Sequence, residues 1–162
     1  MCGIFGYLGH QQALPILVEG LRRLEYRGYD STGVAVQQDG LLETHKTVGK
    51  VADLKAILPP TVNGTLGIAH TRWATHGGVT QVNTHPHASE NDRVHLVHNG
   101  IIENFQQLRK GLAARGITCI SETDSEVIAQ MIALELEHSA TPLRRFNPPF
   151  AGCAEPGGCA SW

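Results

Sequence analysis

The sequence has no apolar run of membrane-spanning length, and no basic segment leads into an apolar core near its start. Neither a spanning helix nor an export signal is therefore expected. A large excess of either sign of charge is missing too. The formal net charge of -2 gives no electrostatic case for nucleic acid or an anionic membrane as a partner. No internal repeat is visible. Cysteine is sparse: Cys2, Cys119, Cys153 and Cys159 stand in no secretory context, so reduced thiols and a cytoplasmic location are expected. What is present is a chain of 162 residues, 41% hydrophobic and 17% charged, long enough to bury the core of one soluble globular domain.

The hydrophobic pattern predicts mixed α and β structure. "CGIFGYLG" reads as a buried strand. Leu14, Leu17, Val18, Leu21 and Leu24 then recur on one helix face, and Pro15 suits that helix's first turn, where its missing N–H costs nothing. "TGVAVQQDGLLETHKTV" predicts two strands joined at Asp39-Gly40, a hairpin signal. A short helix over "VADLKAIL" stops at Pro59-Pro60. "GTLGIAHTRW" and "DRVHLVHNG" predict two further strands. "ENFQQLRKGLAARG" predicts a helix closed by Gly116, and "ITCIS" a strand. "TDSEVIAQMIALELEH" predicts a helix opened by a capping box from Thr123 to Glu126. Strands, helices and hairpin alternate without a regular βαβ rhythm, which argues against a doubly wound nucleotide-binding fold.

Composition changes after about His138. The stretch "SATPLRRFNPPFAGCAEPGGCASW" is rich in Pro, Gly, Ala and Cys and has no usable periodicity. The expected division is a domain over 1–138 and an atypical, poorly ordered tail over 139–162.

Three polar clusters interrupt apolar runs: "EYRGYDSTG", "HTRWATHGG" and "HNGIIEN". Each follows an element that should end at an edge, where rigid scaffolding holds binding groups. Singly, each has a plain structural explanation. Arg72 and Trp73 could be a surface cation on an aromatic ring, Asn99-Gly100 an ordinary turn, and Asp124 an acidic helix start. Histidines are plentiful in "THPHASENDRVHLVH", and imidazoles two or three apart can converge on zinc. His95 and His98, three apart on a strand, would point to opposite faces, and no cysteine or paired acid completes a shell. No metal site is expected.

Taken together, "MCGIFGYLG", "LRRLEYRGYDSTG", "GIAHTRWATHG", "NTHPH", "VHNGIIEN" and "SETDSEVIA" resemble the glutaminase domain of the glutamine–fructose-6-phosphate aminotransferase family. The resemblance runs from Met1 to about His138 in order and spacing. "YRGYDS" and "HTRWATHG" separate this family from other amidotransferases with an N-terminal cysteine.

The resemblance implies an α+β fold of the N-terminal-nucleophile hydrolase kind. That fold is an αββα four-layer sandwich, here expected to be incomplete at the C-terminus. It implies glutamine as small-molecule substrate and no cofactor. Fructose 6-phosphate would enter only through an isomerase domain that these residues do not resemble, and full-length members are expected to be homo-oligomers. Cys2, freed of Met1, is implied as nucleophile and its own α-amine as base. A free α-amine ionises at about 7.7–8.0 and a thiol at about 8.5, so near neutral pH the amine can take the thiol proton, directly or through one water. Asn99 and Gly100 are implied as oxyanion donors. Arg72, helped by Thr75 and His76, would hold the glutamine α-carboxylate, and Asp124 its α-ammonium. Arg27 and Gly28 would shape the wall behind the nucleophile, and Trp73 would close the site and route ammonia onward. The alternative left open is a non-catalytic remnant that binds glutamine or a partner subunit.

Overall fold

The structure is a computed structural model that describes residues 1–74 and 77–138. The chain begins with strand β1 (Gly3–Leu8), helix α1 (Ala13–Leu24), a 3₁₀ turn (Glu25–Arg27) and strands β2 (Ser31–Gln38) and β3 (Leu41–Val48). Helix α2 (Val51–Ile57) and strand β4 (Leu66–Arg72) follow. The two-residue strands β5 (His87–Ala88) and β6 (His95–Leu96) precede helices α3 (Phe105–Ala113) and α4 (Asp124–His138). The four long strands form an antiparallel sheet in the order β1-β4-β2-β3, and β5 pairs with β6 in a second, small sheet.

The expected hairpin is present. Asp39 (φ 52°) and Gly40 (φ 81°) both take positive φ, the requirement of a type I′ turn whose twist matches its strands. Helix α1 lays Leu14, Leu17 and Leu21 against this sheet, with Val18 partly buried beside them; Val34, Val36, Val51, Leu54 and Ala69 complete the core. Burying one such aliphatic side chain is worth roughly 1.5–3 kcal/mol. The small β5–β6 sheet lies on the other side, joined to β3 by Thr44 Oγ1 and His95 Nδ1 at 2.7 Å, and α4 packs over it with α3 beyond. The layers are therefore helix, sheet, sheet, helix. Ser31–Val36 is consequently buried on both faces, which is why it does not alternate.

Four sequence expectations need correction. β1 sits at the sheet edge, not inside it. Phe5 and Tyr7 face the core, while Ile4 and Leu8 are exposed. The strand expected over "DRVHLVHNG" shrinks to His95–Leu96. "ITCIS" is no strand, because side chains claim its backbone. The Glu126 carboxylate accepts the N–H groups of Ile120 (2.8 Å) and Ser121 (2.5 Å), and Arg109 donates to the carbonyls of Cys119 (3.2 Å) and Ser121. For the same reason the capping box is only half made. Thr123 Oγ1 accepts the Glu126 N–H at 3.4 Å, but the Glu126 side chain reaches past Thr123 to the preceding turn. The expected tail, 139–162, lies outside the described residues. Among the described residues no helix is long and apolar enough to cross a membrane.

Candidate functional site

The β1–β4 ladder ends at the pair Gly3–Thr71, so Cys2 and Arg72 are the next residues on the two strands. The register alone brings the candidate nucleophile beside the candidate carboxylate clamp. Both line a cavity of about 560 Å³ that also receives Arg27, Trp73, Asn99, Gly100 and Asp124. Eight of the ten predicted site residues lie among the described residues. Of these, only Gly28 does not line the cavity itself. Thr75 and His76 lie outside the described residues.

Cys2 Sγ accepts the Trp73 backbone N–H at 3.2 Å, and the Met1 amine donates to the Arg27 carbonyl at 2.8 Å. Behind this start, Gly28 has φ +93°, and a Cβ there would stand 2.8 Å from the Trp73 ring. Any other residue would therefore be strained and would push the indole away. Asp30 ties the end of β4. It donates its N–H to the Arg72 carbonyl (2.7 Å), and its carboxylate accepts the Ala74 N–H and lies 3.9 Å from Arg72 Nη1. Arg72 itself is 4% exposed and donates to the Gly78 carbonyl at 3.2 Å. Its guanidinium is thus aimed by the sheet and by its neighbours together.

The opposite wall is the loop that carries Asn99 and Gly100. Asn99 Oδ1 is 2.7 Å from His70 Nε2. Gly100 passes so close to His98 that a Cβ would meet its Nε2 at 2.5 Å, so the backbone there admits no side chain without displacing that imidazole. Asp124 Oδ2 accepts the Ile102 N–H at 2.8 Å, and His98 Nδ1 lies 3.3 Å from Ser125 Oγ. The first residues of α4 therefore hold the loop in place while Asp124 also lines the cavity.

Sequence reasoning did not single out three residues that shape this site: Asp30, His70 and Glu122. His70 carried a usable signal, since residues two apart on β4 share a face and Arg72 is its partner at that spacing. Glu122 carried none. It accepts the Gly78 N–H (2.9 Å) and Asn83 Nδ2 (2.8 Å), and its own N–H donates to Asn83 Oδ1 (2.9 Å). These hydrogen bonds hold its carboxyl below the usual range. The histidine-rich segment supplies packing. The His85 ring lies 4.2 Å from that of His70 and 4.5 Å from that of His87. Burial lowers the pKa of His70 to about 4 and of His87 to about 3, and pushes His85 down as well. Among the described residues no group of three His, Cys, Asp or Glu side chains is placed to hold a metal ion.

The glutamine amidotransferase domain family matches residues 52–151. Glutamine–fructose-6-phosphate aminotransferase (isomerizing) of Streptomyces coelicolor is 56% identical over 137 residues, covering 83% of this chain and 22% of that protein. The enzyme of the same name from Corynebacterium glutamicum is 52% identical over 141 residues, covering 82% and 23%. That of Chlamydia abortus is 49% identical over 148 residues, covering 91% and 24%. The chain thus spans about a quarter of the length of these relatives. Among solved structures, the glutamine phosphoribosylpyrophosphate amidotransferase of B. subtilis, complexed with ADP and GMP, superposes with a TM-score of 0.70 at 28% identity. The superposition covers 87% of this chain and 30% of that one. A structure described as the allosteric regulatory enzyme of purine biosynthesis gives 0.71 at 30% identity, with the same coverage. The layered architecture is that of the N-terminal-nucleophile amidotransferases. By sequence and by fold, the chain belongs to the glutamine amidotransferase domain family.

Proposed function

We propose that this chain hydrolyses glutamine to glutamate and ammonia with Cys2 as nucleophile, the ammonia serving glucosamine 6-phosphate synthesis from fructose 6-phosphate. The observation that carries the reading is the position of Cys2 Sγ. It sits under the Trp73 N–H at the mouth of a cavity that also receives Arg72, Asn99, Gly100 and Asp124. The acceptor half of the reading rests on relatives 49–56% identical to most of this chain that bear that enzyme's name.

Removal of Met1, which lines the cavity, frees the Cys2 amine and widens the space for substrate. The amine takes the thiol proton, and the sulfur attacks the carboxamide carbon. Charge gathers on the carboxamide oxygen, where the Gly100 N–H and the Asn99 NH₂ stabilise it. The carbon–nitrogen bond then breaks, ammonia departs with the proton, and water cleaves the thioester to give glutamate and restore the thiol. Arg72 forks onto the α-carboxylate and Asp124 receives the α-ammonium. Residues 1–138 form the catalytic domain in this reading. Binding of fructose 6-phosphate belongs to a region that these residues do not include.

The test is glutamate release from glutamine by the purified chain with Met1 removed. Cys2→Ala and protein that retains Met1 are both expected to be inactive. Turnover by Cys2→Ala would overturn the assignment of the nucleophile, and turnover with Met1 in place would overturn the α-amine as base.

A further inference from the structure

A carboxamide has two ends of nearly the same shape and opposite chemistry: one accepts hydrogen bonds and the other donates them. An oxyanion needs the donating end. We propose that His70 is the positioning residue that decides which end of the Asn99 amide faces the cavity. The inference rests on Asn99 acting as an oxyanion donor, as argued above.

His70 Nε2 lies 2.7 Å from Asn99 Oδ1. A carbonyl oxygen accepts, so the imidazole meets it with an Nε2–H, and the Asn99 NH₂ is left to point elsewhere. In the other neutral tautomer Nε2 would carry a lone pair. The amide would then turn its NH₂ to His70 and set its carbonyl against the developing negative charge. The surroundings choose between the two. His70 is 1% exposed, and its Nδ1 has no partner among the described residues. With the proton on Nε2, only a lone pair goes unpaired. With the proton on Nδ1, a buried N–H does, which is the costlier group to orphan. The doubly protonated ring is also suppressed. Burial is the main cause, and the Arg72 charge acts in the same direction. The His85 ring, 4.2 Å away, packs against the His70 imidazole. One strand therefore carries both devices: Arg72 to grip the substrate, and His70 two residues earlier to orient the donor.

The experiment is steady-state glutamine hydrolysis by the full chain, Met1 removed, carrying His70→Leu or His70→Gln. Leucine removes the donor, whereas glutamine restores an amide N–H near the position of Nε2. His70→Leu is expected to lower kcat about 10- to 100-fold with KM for glutamine nearly unchanged, the scale of a misplaced catalytic group. His70→Gln is expected to recover most of that loss, which a merely structural role would not produce. The double variant His70→Leu/Asn99→Ala should be no slower than Asn99→Ala, because both changes remove one donor. Wild-type kcat in His70→Leu, or a double variant slower by the full single factor, would overturn the positioning role. Wild-type turnover by Asn99→Ala would instead overturn the oxyanion assignment beneath it. If the leucine variant does not fold, long-range proton–nitrogen spectra of the wild-type imidazole decide the matter: Nε2–H is expected, and Nδ1–H overturns the proposal.

Discussion

On one side of the cavity, Cys2 and Arg72 stand at the ends of paired strands, aimed by backbone ladders. On the other, Asn99, Gly100 and Asp124 stand on a loop and a helix start that side chains hold together. The ladder side repeats one kind of bond many times, so its backbone depends less on any one side chain, with Asp30 tying only the end of β4. The loop side has few bonds, each made by a particular residue: His70 to Asn99, Asp124 to Ile102, and Glu126 to Ile120 and Ser121. Its geometry is therefore more easily lost to one substitution. The sheet gives the proposed nucleophile a rigid base, and the loop carries the proposed donors, whose orientation a single side chain can change.

The sharpest way to break the loop side is Asn99→Ala. It is expected to lower kcat about 10²–10³-fold with little change in KM, because the donor acts once the oxyanion forms. Steady-state kinetics on glutamine would show it, and a raised KM at unchanged kcat would make Asn99 a ground-state contact. Next comes Glu126→Gln, which leaves the cavity walls untouched and sets an amide NH₂ against a buried N–H. A loss of about 1–3 kcal/mol in stability is expected, read as a lower Tm. An unaltered Tm would mean that Arg109 and the Glu122–Asn83 bonds hold the 117–123 segment without the Glu126 carboxylate.

On the ladder side, Arg72→Lys keeps the charge and loses the planar fork. KM for glutamine should rise about tenfold, since one charge-assisted hydrogen bond is worth about 1.5 kcal/mol. An unchanged KM would remove Arg72 from substrate recognition. The mildest perturbation is pH. His70 and His87 are held near 4 and 3, mainly by burial, and His85 is lowered too. The unfolded chain takes up these protons below about 6.5 while the folded chain does not. Stability is therefore full above that value and falls as pH drops toward 4. Each imidazole contributes up to about 1.4 kcal/mol per pH unit in this window. Denaturant midpoints at pH 7 and pH 5 would measure it, and equal midpoints would mean that the three rings are solvated.

Helix α1, the Asp39-Gly40 hairpin, helix α2 and strand β4 were legible because each is written locally: an apolar period, a turn dipeptide, a proline stop. The cavity residues Cys2, Arg72, Asn99, Gly100 and Asp124 were legible as motifs, and Cys2 also by its place next to the start. The failures share a cause. "ITCIS" has the composition of a strand, but the Arg109 and Glu126 side chains, on the helices that flank it, satisfy its backbone. β1 reads as buried until the sheet order puts it at the edge. Sequence by itself determined which residues can attack, donate and bind charge, and where the local elements begin, because those properties reside in single side chains and short periods. Only the tertiary structure decided that Cys2 meets the Trp73 N–H and that His70 reaches Asn99. Those pairs are 71 and 29 residues apart in the chain, and antiparallel register and loop packing, not local propensity, bring them together.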